Sequence, residues 1–139
     1  MKKYIRWAFI YAIAAMVCGV FYREFTKFYG FTGKTTLAFT HLHFFVLGTL
    51  LFLVLALFAE LTDLAEQKTF RWFLGLYRIG LPMMVAMFFV RGIPQVLGLP
   101  LPKGISAAIS GFAGISHILV GTSLVLLFLA LGKCRSVRK

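Results

Sequence analysis

A chain of 139 residues that is 60% hydrophobic and 14% charged, with a mean hydropathy of +0.90, is far more apolar than the roughly 45–50% of an ordinary soluble domain. It reads as an integral membrane protein, and so short a chain is expected to carry no catalytic domain outside the bilayer. The net charge of +11 does not point to nucleic acid, because the basic residues flank apolar runs, where the positive-inside rule and anionic headgroups account for them.

The first apolar run predicts a helix over about 4–22. Lys2, Lys3 and Arg6 ahead of it have the look of a signal peptide, and Ala15-Met16-Val17-Cys18 of a lipoprotein cleavage site. Val17 is too large for the position before the cysteine, so the helix is read as uncleaved. The connection YREFTKFYGFTGK follows, broken by Gly30 and Gly33 and rich in aromatics that suit the membrane interface. Arg23 and Glu24 pair at the surface or reach inward over a cavity. Gly33-Lys34-Thr35 has the tail of a P-loop, but Phe28 stands where the first glycine belongs and no strand precedes it.

The second helix is expected over about 36–58, long enough to cross a hydrocarbon core that takes ~20 residues. A mixed-charge connection, AELTDLAEQKTFR, reads as a solvated helix end. The third helix, about 72–97, contains Pro82, which should kink it, and Arg78, which can snorkel to the interface. Near its other end Arg91 either snorkels as well or offers its planar guanidinium to a carboxylate or phosphate. After the stiff turn GLPLPKG comes the fourth helix, about 105–131, and a basic tail.

These spans make a single transmembrane domain over 1–139. Ten basic residues fall on the side of the two termini and five on the other, so both termini are placed in the cytoplasm. Cys18 and Cys134 then lie near opposite membrane faces, too far apart for a disulfide.

All three histidines lie inside predicted spans, and an ionisable group in hydrocarbon is a candidate functional site. His41 and His43 sit about 200° apart around their helix, so at most one of them meets His117 of the fourth. His43 is nearer to it in depth. His117 lies on a stripe with Ser110, Gly114 and Gly121, which admits either a closely packed helix or a flat macrocycle. The leading expectation is a b-type haem held by His43 and His117, with His41 as alternative ligand and Arg91 and Arg23 as propionate partners. Its role would be electron transfer or redox or gas sensing with a redox partner. Copper or zinc on the same histidines is a second use, although such sites want three or four ligands. In a third, the histidines only hydrogen-bond across helices, in a structural or transport module whose His and Arg side chains line a polar path. Gly48-Thr49-Leu50-Leu51 and Gly121-Thr122-Ser123-Leu124 also hint at a diverged repeat.

Taken together, YREFTKFYGFTGKTTLAFTHLHFFVLG, RGIPQVLGL and GISHILVG resemble a bacterial family of small four-helix membrane proteins. That likeness covers nearly the whole chain and implies an all-α bundle in the cytoplasmic membrane, with no activity to carry over. A looser resemblance is to subunit I of the haem–copper oxidases, built from three arcs of four helices. It implies haem binding and a homo-oligomer, with a trimer as the comparable ring. The adjacent histidine pair for copper and the histidine–tyrosine motif of the oxidases are missing here.

Overall fold

The computed structural model describes residues 1–137 and is all-α. Four helices are long and apolar enough to cross a membrane, which makes the chain a multi-pass membrane protein. They are α1 (Lys2–Phe28), α2 (Ala38–Leu61), α3 (Lys68–Leu97) and α4 (Lys103–Leu131). No sheet forms among the described residues; one isolated antiparallel bridge joins Thr62 and Ser136. Arg138 and Lys139 of the basic tail lie outside the described residues.

The first helix runs six residues beyond its predicted end, because the aromatic segment after Tyr22 stays helical until a glycine can stop it. Gly30 takes φ 60°, and the N–H groups of Gly30 and Phe31 return to the carbonyls of Lys27 and Thr26 at 3.1 and 2.9 Å. This left-handed termination satisfies the last carbonyls of the helix. Gly98, with φ 65°, ends α3 in a similar way, and α3 runs as a helix through both Pro82 and Pro94.

The second helix departs from the regular helix expected of it. It is α-helical over Ala38–His43, π-helical over Phe44–Leu50 and α-helical again over Leu51–Leu61. In the π segment a backbone donor reaches five residues back, as Leu51 N–H does to the Val46 carbonyl. The local carbonyls left over find side chains instead: Tyr77 of α3 donates its hydroxyl to Leu47 O at 2.7 Å.

Three glycines let the helices close on one another. A Cβ at Gly48 would lie 2.5 Å from Tyr11 Cγ, so α1 seats its tyrosine directly on the α2 backbone. At Gly80 it would lie 3.2 Å from Val120 N, which brings α3 and α4 together. At Gly92 it would lie 2.8 Å from Leu37 N, where the start of α2 crosses α3. Lipid tails are as apolar as leucine, so close van der Waals packing of this kind, not water exclusion, holds such helices together. Around these contacts lies a core rich in aromatics, including Tyr4, Tyr11, Phe52, Phe70, Phe73 and Tyr77.

Polar groups close both ends of the bundle. At the Lys34 end, Thr35 and Thr36 donate their hydroxyls to the Gly92 and Phe88 carbonyls at 3.0 and 2.8 Å, and Thr36 N–H donates to Gln95 Oε1 at 2.9 Å. At the end of the termini, Asp63 N–H donates to Arg135 O at 3.1 Å, while Asp63 Oδ1 accepts from Arg135 N–H at 2.9 Å. Val137 N–H adds a bond to Leu61 O at 3.1 Å. The connection read as a solvated helix end is therefore half of a clasp that holds the C-terminal segment. Arg78 is exposed, with its guanidinium carbon 4.4 Å from the centroid of the Trp7 ring.

Candidate functional site

The two histidines of α2 face different neighbours. His41 turns toward α1, where its Cβ lies 3.7 Å from the position of a Cβ on Gly19 and its ring stacks on Tyr22 at 6.5 Å. Its Nδ1 is buried without a hydrogen-bond partner among the described residues. His43 turns toward α3 and meets the ring of Phe88 edge-on at 4.7 Å. From α4, His117 approaches the same ring at 6.2 Å.

Short bonds set the chemistry of these two imidazoles. His43 Nδ1 lies 2.8 Å from Phe39 O and His117 Nδ1 lies 2.7 Å from Ala113 O. A carbonyl only accepts, so Nδ1 carries the proton in both rings and Nε2 is the lone-pair nitrogen when they are neutral. Each of the two thus spends its donor on its own helix, four residues back, and makes no bond across helices among the described residues.

Arg91 lies one turn along α3 from Phe88 and reaches α4. Its Nη2 donates to Ser110 Oγ at 2.7 Å and to Ser106 O at 3.2 Å, and Ser110 Oγ donates in turn to Ser106 O at 3.0 Å. The half-buried guanidinium pairs with no carboxylate among the described residues. Arg23 is elsewhere, exposed, 3.9 Å from Glu24 of its own helix. Gly114 and Gly121 stand in open space, as do Gly104 and Gly111: beyond their own stretch of helix, no atom of the described residues lies within 4 Å of a Cβ placed on them. Gly114 and Gly121 therefore face away from the bundle, while Ser110 and His117 of the same stripe touch α3.

This arrangement overturns the expectation of haem b, and of copper or zinc. A bis-imidazole site needs two rings facing each other across a dry slot, but α3 fills the space between α2 and α4 and puts the Phe88 ring between His43 and His117. His117 itself is exposed on the surface of the bundle. Among the described residues, no three His, Cys, Asp or Glu side chains come together in a way that could hold a metal ion. Electron transfer and redox or gas sensing through such a centre go with it. Both cysteines are free thiols: Cys18 is buried beside Thr40, and Cys134 accepts from Gln67 Nε2 at 3.4 Å.

The sequence reading missed Thr35, Thr36 and Gln95, which pin the start of α2 to α3 and line a cavity of about 320 Å³ with Tyr22, Lys34 and Phe39. The signal was present in the paired threonines ahead of the span, but their partners lie more than fifty residues away.

No curated protein and no solved structure matches the chain. A family model described as "Protein of unknown function (DUF2871)" matches residues 1–134. With nearly its whole length matched, the chain belongs to the DUF2871 family.

Proposed function

We propose that this protein is a membrane module that works by lateral association, with the outward face of α4 as the surface on which a second copy of the chain docks. The observation that carries this reading is the run of open glycines, Gly104, Gly111, Gly114 and Gly121, along one exposed side of a spanning helix. Small residues at such positions let a neighbouring backbone approach closely, which is the main source of helix association in lipid. Ile118 and Val125 project from the same face, 69% and 59% exposed. Knobs and hollows therefore occur on one surface, as a self-complementary contact about a two-fold axis requires. Copies inserted with the same orientation bring these residues together at equal depth. His117, midway along α4 and exposed, is a second reason, because an imidazole facing lipid at that depth is costly and a neighbouring copy would shield it.

We further place the chain as a single transmembrane domain in a bacterial cytoplasmic membrane with both termini in the cytoplasm. Support comes from the basic residues: Lys2, Lys3, Arg6, Lys68, Arg71, Arg78, Lys133 and Arg135 lie toward the end of the termini, against Arg23, Lys27, Lys34, Arg91 and Lys103 toward the other.

Single-molecule photobleaching of labelled protein in liposomes, over a series of lipid dilutions, tests the association. Wild type is expected to show pairs that separate on dilution. Gly114→Ile and Gly121→Ile, at positions with open space, should remain folded and shift the protein to single copies. A wild type that is a single copy at every dilution overturns the proposal, as does undiminished pairing in the double variant.

A further inference from the structure

We infer that Arg91, oriented by Ser110, forms a binding site for a phosphate oxyanion at one boundary of the membrane, that of an anionic phospholipid headgroup. Ser110 and Gly111 border the proposed self-association face on α4, but the inference rests on Arg91 and its bonds to Ser110 and Ser106 and does not require pairing.

The first ground is depth. Helices of 30 and 29 residues are about 45 and 43 Å long, so when centred on a hydrocarbon core of ~30 Å they overhang it by about 7 Å at each end. Arg91 lies six residues from the end of α3 and Ser110 seven from the start of α4, about 9 and 10 Å in. On that centring the Cα atoms of Arg91 and Ser110 lie about 2–3 Å inside the hydrocarbon edge, from which a side chain as long as arginine's reaches the headgroup layer.

The second is unspent hydrogen-bonding capacity. A guanidinium carries five N–H groups. The two on Nη2 are taken by Ser110 Oγ and Ser106 O, which leaves three, on Nε and Nη1, without partners among the described residues. Ser110 spends its own hydrogen on Ser106 O and accepts from Arg91, so it serves as a fixed rest for the cation. A half-buried cation with free donors at the edge of hydrocarbon is best satisfied by a charged oxygen, since charge-assisted hydrogen bonds are roughly twice as strong as neutral ones.

Charge is the third. Toward this end the chain carries Arg23, Lys27, Lys34, Arg91 and Lys103 against the single acid Glu24, which already lies beside Arg23. The counter-charge to Arg91 does not come from the described residues, whereas a bilayer supplies phosphate in a dense layer at this depth. Small neighbours on α4, Ala107 and Gly111, leave the approach along Ser110 uncrowded.

The full chain in neutral detergent is titrated with short-chain phosphatidylglycerol and, separately, with inorganic phosphate. Bound adducts are counted by native mass spectrometry and the melting temperature is followed in parallel. Wild type should bind phosphatidylglycerol, and R91Q about tenfold more weakly, in line with loss of a charge-assisted contact. K103Q, which removes the same charge from the same end, should stay within about twofold, as expected of a screened exposed charge. An Arg91-dependent response to phosphatidylglycerol alone supports a lipid source, and one to inorganic phosphate as well supports a free anion on the same residues. Should R91Q fail to fold, S110A decides: it keeps the cation but loses its rest, and should bind more weakly than wild type. Equal affinity in wild type, R91Q and S110A overturns the site, as does an equal loss in K103Q and R91Q. Repeating the titration on the Gly114→Ile, Gly121→Ile background separates a failure of this site from a failure of self-association.

Discussion

Tyr77 and Leu47 are joined by a hydrogen bond of 2.7 Å that runs from a fully buried hydroxyl of α3 to a backbone carbonyl inside the π-helical segment of α2. In hydrocarbon a carbonyl without a donor has no water to turn to. Tyr77→Phe keeps the ring in the aromatic core and removes only the donor. The expected loss is about 1–2 kcal/mol of folding stability, measured by denaturant titration in mixed micelles. A variant as stable as wild type would mean that the π segment satisfies its own carbonyls.

Glycines in close contact and glycines in the open should respond oppositely to a methyl group. Gly92→Ala places a carbon 2.8 Å from Leu37 N and 2.9 Å from Thr36 Oγ1, against backbone that cannot step aside, and should cost about 2 kcal/mol or more. Gly114→Ala meets nothing and should stabilise the isolated chain by up to about 1 kcal/mol through helix propensity alone. Melting temperatures of the two variants, in detergent that keeps the chain as a single copy, check both signs at once.

Asp63 ties the C-terminal segment to the connection between α2 and α3 through both its backbone N–H and its carboxylate. Asp63→Ala removes the carboxylate bond to Arg135 N–H. The amides of Arg135 and Val137 should then exchange with solvent deuterium faster, by about tenfold for a local loss near 1.4 kcal/mol. The centre of α3 should exchange as before, because the clasp lies outside the packed core.

Trp7 and Arg78 form a cation–π contact between α1 and α3, with 4.4 Å from the guanidinium carbon to the ring centroid. A double-mutant cycle with Trp7→Leu and Arg78→Gln should give a coupling energy of about 0.5–1 kcal/mol. The same cycle with Ile79, on the exposed side of α3, in place of Arg78 should give none.

The four spans were legible because apolar runs of this length announce themselves, and the predicted helices overlap all four observed ones. Boundaries were harder. The sequence around Phe25 and Phe28 looked like an interfacial loop, yet a helix continues until Gly30 gives it a left-handed exit. Helix rotation was not legible at all. Gly114 and Gly121 have the composition of a packed stripe but face outward, while the glycines that receive neighbours are Gly48, Gly80 and Gly92. For the same reason His43 and His117 approach one another only through Phe88, a residue that nothing in its own surroundings marked out. The π segment left only the faint trace of Gly48-Thr49 in mid-span, since the groups that meet it, Tyr11 and Tyr77, come from two other helices.

The wide turn in α2 works as a phase shifter between the two halves of that span. Above it the chain aims His43 at Phe88, and below it Phe52 lies 5.5 Å from Tyr11. A uniform helix through the same positions would swing one half against the other by about 100°, the angle of a single residue. Removing Val46 to restore uniform winding would thus preserve one of these two contacts and forfeit the other.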